Sequence, residues 1–147
     1  MKHIRAPLGS PDSLKGVPGN ELGTSPFLED DSNGVRLSES GAVLEYLAIK
    51  YGNGRLILKP DDAHYADYLQ WFHYANGTLQ PAQMNYGFMG LAEVAKDNVI
   101  SQLMLQRLEK RFSAIDIQLG KAKFLAGDTL TLADMMTVYS LTTQRYW

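Results

Sequence analysis

The chain has 147 residues, 45% of them hydrophobic and 20% charged, which is the composition of a globular protein and not of a disordered one. Fourteen basic residues against sixteen acidic ones give a net charge of −2, which argues against the concentrated positive surface that nucleic-acid phosphates require. Without cysteine there is no disulfide framework, thiol nucleophile or thiolate metal site, and no apolar run reaches the length of a membrane span.

The start "MKHIRAPLGSP" has no apolar signal-peptide core, so a cytoplasmic protein is expected. Residues 1–25 are rich in glycine, proline and serine and read as loop, with one helical turn at "PDSLKG". Two short apolar-containing runs, "SPFLED" (25–30) and "GVRLSE" (34–39), flank "DSNG", and Asn33-Gly34 predicts a hairpin because both residues tolerate positive φ. From Gly41 to Tyr51, Val43, Leu44, Leu47 and Tyr51 recur at helical spacing, with Gly52 as the stop. Residues 52–62 read as a linker closed by Pro60.

Everything beyond is helical. Asp61 or Asp62 can cap a helix whose face carries Tyr65, Leu69, Phe72 and Asn76. Pro81 should kink it, because proline lacks an N–H and crowds the carbonyl of Gly77. "GFMG" (87–90) should end it. A second long helix runs through Leu105, Leu108, Phe112, Ile115 and Leu119 to Gly120, and a third from Thr131 to Trp147. The expected division is 1–54, a linker at 55–61, and a helical domain at 62–147.

The junction "SESG" at 38–41 carries the chemistry. A helix N-terminus leaves its first N–H groups without intrahelical partners and adds partial positive charge. Ser40 can cap those donors, with Glu39 favouring the dipole. Alternatively, the donors can hold a ligand carboxylate while Glu39 accepts from an ammonium group. A single α-amino acid head group would use both.

The string "ELGTSPFLEDDSNGVRLSESGAVLEYLAIKYG" (21–52) resembles the N-terminal domain of glutathione S-transferases, whose motif runs L-G-x-x-P-x-L-x-D, a turn, then L-x-E-S-x-A-I-x-x-Y-L. The resemblance implies an α+β fold, in which part of a thioredoxin-like lobe, a hairpin plus a helix, precedes an all-α lobe. It implies a cis bond at Pro26, with Glu39 and Ser40 holding the γ-glutamyl end of glutathione. Ser25 would lend backbone groups to the tripeptide's cysteine. "FLAGDTLTLADMMTVYSL" (124–141) resembles the family's capping signature, with Thr131 as N-cap, Asp134 reaching back, and Leu130 and Met135 stapling. "WFHYANG" (71–77) resembles the W-x-x-Y-x-E-G of fungal and bacterial members, with Asn76 in the glutamate's place.

The implied activity is conjugation of the glutathione thiolate to small electrophiles, by a homodimer using glutathione as co-substrate and no metal. Nucleic acid and membrane are not expected as partners. The family's catalytic Tyr, Ser or Cys finds no match: Tyr46 lies beyond the site pair, and Ser10 and Ser13 have no strand before them. Thr24 stands where the family often has lysine. The expectation is a transferase lacking its opening strand, helix and strand as well as its last helices. The alternatives are a non-catalytic binding or scaffold module and an inactive fragment. Trp71 and Tyr74, in the cluster Tyr65, Tyr68, Trp71, Phe72 and Tyr74, either pack the core or line the electrophile pocket. His64 and His73, nine residues apart with His3 in the tail, have no metal-ligand spacing and read as surface or packing residues. Arg107, Lys110 and Arg111 read as a solvated helix face.

Overall fold

The computed structural model describes residues 12–143. The chain divides into two compact units, Met1–Gly54 and Arg55–Trp147. His3 and Ser10 lie outside the described residues, as does the end of the third helix at Trp147.

The first unit opens with the expected turn, α1 (Asp12–Lys15), and a loop into an antiparallel hairpin of β1 (Phe27–Asp30) and β2 (Val35–Ser38). Asn20 organises that loop although nothing in its sequence context marks it. It is buried, its Oδ1 accepts from Thr24 N (2.9 Å) and Thr24 Oγ1 (3.1 Å), and its Nδ2 donates to Thr24 O (3.0 Å). In the hairpin Phe27 pairs with Ser38 and Asp30 with Val35, leaving a four-residue turn instead of a two-residue one. Gly34 alone takes positive φ there, at 72°. Asn33 acts through its side chain instead, its Oδ1 accepting from Val35 N at 3.1 Å.

Helix α2 (Ser40–Lys50) packs on both strands, and Gly52 follows its last turn, as the spacing predicts. Val43 and Ala48 are its buried residues. Leu47 and Tyr51, expected on the core face, are 37% and 56% exposed within this chain.

The second unit is helical. Helix α3 (Tyr65–Tyr74) begins later than expected: Asp62 Oδ1 accepts from His64 N at 2.8 Å, and the first helical residue is Tyr65. Its core stripe is Tyr68, Trp71, Phe72 and, beyond it, Ala75 and Leu79. Leu69 and Asn76 of the expected face are exposed while Phe72 is buried, so the buried face is rotated from the expected one toward Tyr68 and Trp71. The aromatic set at 68, 71 and 72 offers more apolar area than the alternative, which decides the orientation.

The irregularity announced by Pro81 takes the form of a π-helical segment, Ala75–Leu79, immediately before α4 (Gln80–Leu91). One extra residue in the turn accommodates the missing proline N–H without ending the helix. Helix α5 (Val99–Leu119) starts at Asn98, whose Oδ1 accepts from Ile100 N at 2.9 Å, and stops at Gly120. It buries Leu108 and Ile115 of the expected stripe, while Leu119 is exposed. Helix α6 (Leu132–Thr143) packs against α3, and Ala133, Met136, Thr137 and Ser140 are buried along it.

Candidate glutathione site

The sequence candidates of the first unit gather at one end of the hairpin, on either side of the Phe27–Ser38 pair. The Ser25–Pro26 peptide is cis, as the resemblance implies, and both residues are exposed at the start of β1. At the same open end of the hairpin, where Phe27 pairs with Ser38, Glu39 is the N-cap of α2 and Ser40 its first helical residue. Ser40 is therefore not the cap. Glu39 has φ 74° and ψ 115°, and its side chain makes no cap hydrogen bond. A non-glycine residue held there is strained, and that conformation keeps the Glu39 side chain out of the capping role. The N–H groups of the first turn lie beyond any intrahelical acceptor and carry the positive end of the helix dipole. An exposed carboxylate beside such donors suits a ligand bearing both an ammonium and a carboxylate.

A second polar cluster sits at the far end of the same helix. The buried Asp30 carboxylate uses its oxygens separately. Oδ1 accepts from Ser32 N (3.0 Å) and Ser32 Oγ (2.6 Å), while Oδ2 accepts from Tyr46 OH (2.5 Å) and Tyr51 OH (2.6 Å). Lys50 Nζ lies 3.7 Å from Oδ2, and Asn33 Nδ2 donates to Tyr46 OH at 2.8 Å. The hydrogen bonds from Ser32, Tyr46 and Tyr51 hold the Asp30 carboxyl well below the usual carboxylate range. The bond to Asp30 holds the Tyr51 phenol above its ordinary value, and the Tyr46 hydroxyl, with Asp30 behind it, does the same for the Lys50 ammonium. Tyr46 and Tyr51 therefore anchor the helix.

In the second unit the capping signature is formed. Asp134 Oδ2 accepts from Thr131 N (2.9 Å) and Thr131 Oγ1 (3.0 Å), and Oδ1 accepts from Leu125 N (2.8 Å). Leu132 N donates to Leu56 O at 2.9 Å, so residue 56 of the expected linker helps to close this helix start. Leu130 and Met135, the expected staple, are 45% and 43% exposed.

The glutathione S-transferase GstB of Escherichia coli strain K12 is 31% identical to this chain over 119 residues, 79% of this chain and 56% of that protein. The glutathione S-transferase-like protein LUC7 of a Fusarium species is 30% identical over 112 residues, 76% of this chain and 51% of that one. A solved delta-class glutathione transferase from Nilaparvata lugens superposes with a TM-score of 0.74 at 27% identity, covering 93% of this chain and 64% of that one. No family model matches. The chain belongs to the glutathione S-transferase family. It spans about half the length of the curated relatives it matches.

The fold of this transferase-family chain is α+β, a hairpin and helix of the thioredoxin-like lobe followed by a helical lobe. Of its aromatic candidates, Trp71 is buried and meets the Tyr74 ring edge-on at 4.9 Å. The Tyr74 hydroxyl donates to Arg111 O at 3.1 Å, and burial pushes its phenol up. Within this unit Trp71 packs the core, and Tyr74 ties α3 to α5. His64 is half exposed, lies 3.4 Å from Asp67 and packs its ring over Gly127, where a Cβ would come within 2.8 Å of it. Among the described residues no group of three or more His, Asp or Glu could hold a metal ion, and no helix is long and apolar enough to cross a membrane.

Proposed function

We propose that this chain binds glutathione at the start of α2 and that the bound thiol is the nucleophile for conjugation to a small electrophile. The observation that carries the reading is Glu39 in its positive-φ conformation at the α2 N-terminus, with Ser40 beginning the helix, in a chain of the glutathione S-transferase family. The γ-glutamyl carboxylate would accept from the Ser40 hydroxyl and first-turn N–H groups, and its ammonium would donate to Glu39. Ser25 and Pro26, exposed at the strand start, would meet the cysteine portion through backbone groups. Tyr74, only partly buried, is the better of the two aromatic candidates for the electrophile pocket, and Trp71 would support it. A homodimer in the cytoplasm is the assembly and setting proposed with this activity.

In the reaction the thiol first loses its proton to water. The sulfur lone pair then forms the new bond to the electrophilic carbon, and the leaving group departs with its electron pair. The sequence assigns no hydroxyl to stabilise the thiolate. Conjugation of an activated aryl halide should therefore be slow and rise with pH through the solution thiol value of about 8.5.

Calorimetry with glutathione tests the binding step. Ser40→Ala should lose about 1.5–3 kcal/mol of affinity, the value of a charge-assisted hydrogen bond. Melting should change little, because Ser40 is not the N-cap. Unchanged affinity would sink this assignment, and a conjugation rate already level at neutral pH would show that a thiolate-stabilising hydroxyl exists.

A further inference from the structure

We infer that Asp30 is a positioning residue for this site: by clasping the far end of α2 to the hairpin turn, it fixes where Glu39, Ser40 and the first-turn N–H groups point. The identity of the ligand rests on the glutathione reading above, whereas the coupling stands on geometry alone.

Only Glu39 separates the end of β2 at Ser38 from the start of α2 at Ser40. The chain link at this end of the helix is thus a single residue, and besides its packing on both strands the helix is held at a second, polar point. Strand β2 rises about 10 Å from Val35 to Ser38, and the helix rises about 9 Å from Ser40 to Tyr46. These near-equal lengths return Tyr46 to the turn, where its hydroxyl meets Asp30, the partner of Val35 across the hairpin. Tyr51, one and a half turns further on, reaches the same oxygen.

The division of labour on the carboxylate supports a clasp over a merely buried charge. One oxygen serves the turn through Ser32, and the other serves the helix through Tyr46, Tyr51 and the nearby Lys50. Ser32 Oγ also lies 3.2 Å from Tyr51 OH, so turn and helix touch beside the carboxylate as well. An amide in place of the carboxylate has one acceptor oxygen and cannot serve both sides while balancing Lys50. Loosening this end should let the helix start drift, and small misplacements of binding groups are costly.

The test uses the 147-residue chain, Asp30→Asn, and the double variant Tyr46→Phe/Tyr51→Phe, which keeps both rings and the Ser32 bonds. Far-UV circular dichroism establishes folding, calorimetry gives glutathione affinity, and amide resonances of Ser40, Gly41 and Ala42 report the helix start. Both variants should bind glutathione roughly three- to thirty-fold more weakly and shift those resonances, with Ser40→Ala adding little further loss in either background. If the parent binds and the folded variants bind equally well with unmoved resonances, the clasp does not position the site. If the parent does not bind but the resonances still move, the coupling survives and the glutathione reading falls. If neither occurs, both fall. Should Asp30→Asn fail to fold, the double variant decides by the same criteria.

Discussion

Helices α2 and α6 begin in opposite ways. At α6, Asp134 turns back from the first turn to accept from Thr131 and Leu125, and Leu132 N is taken by Leu56 O. The chain itself uses up the donors there. At α2 the cap residue Glu39 is strained, its side chain makes no cap bond, and the carboxylate that steadies the helix, Asp30, sits at the other end. A helix start closed by its own side chains is a folding device. The start proposed here for a ligand is held from elsewhere.

The largest effect should come from breaking the closed start. Asp134→Ala strands the donors at Leu125 N, Thr131 N and Thr131 Oγ1 in a buried place and should cost the helical unit about 3–5 kcal/mol. Urea unfolding followed through the α6 amides measures this, and a loss below about 1 kcal/mol would mean that other groups hold the helix start.

Asp30 should show itself through pH. Its carboxyl is lowered in the folded chain, so the unfolded chain binds more protons as the solution is acidified. The clasp's contribution is then complete above the ordinary carboxyl value of 3.8 and is lost as pH falls towards the folded one. Tyr51 and Lys50 are raised, so their contribution is complete below their ordinary values of 10.0 and 10.5 and fades as pH climbs through the folded ones. Hydrogen exchange of the α2 amides should show protection that narrows at both extremes in the parent. In Asp30→Asn the acid limb should flatten, and an identical acid limb would assign it to other carboxylates.

The two helix starts were not equally legible in the sequence. Thr131 and Asp134 are three residues apart, and a local pattern sufficed to predict their bond. Gly52 and Gly120 likewise marked real helix ends. Asp30 and Tyr46 both stand in the motif that carried the family resemblance, yet nothing in their spacing revealed a bond across 16 residues. Tyr51 read as a core position because its ring fits the apolar period, but its hydroxyl decided its place. Asn20 was silent for a similar reason: the same residue type is ordinary in any turn, and only burial shows that it carries the loop. The strain at Glu39 left no trace, since residue type alone does not report φ.

A milder perturbation of the closed start should have a smaller effect. Thr131→Ala keeps the Asp134 bonds to backbone N–H groups and removes one hydroxyl, so about 1 kcal/mol is expected from the denaturation midpoint, with glutathione affinity unchanged. An altered affinity would mean that the closed start also bears on ligand binding.

A stability change of similar size but opposite sign, and the most informative, belongs to Glu39→Gly. Holding a glutamate at φ 74° costs about 1–3 kcal/mol, whereas glycine adopts such a conformation readily at an entropic cost of about 0.5–1 kcal/mol in the unfolded chain. The difference leaves the variant about 1 kcal/mol more stable, with α2 itself unaltered. Glutathione binding should move the other way, because the carboxylate that would accept from the γ-glutamyl ammonium is gone. Stability and affinity therefore change with opposite signs at one residue, as expected where a strained conformation is kept for a ligand. Melting and calorimetry on the same sample provide the measurement. A variant that is both less stable and equally able to bind would show that Glu39 serves the fold alone, and that the ammonium contact must be sought at another residue.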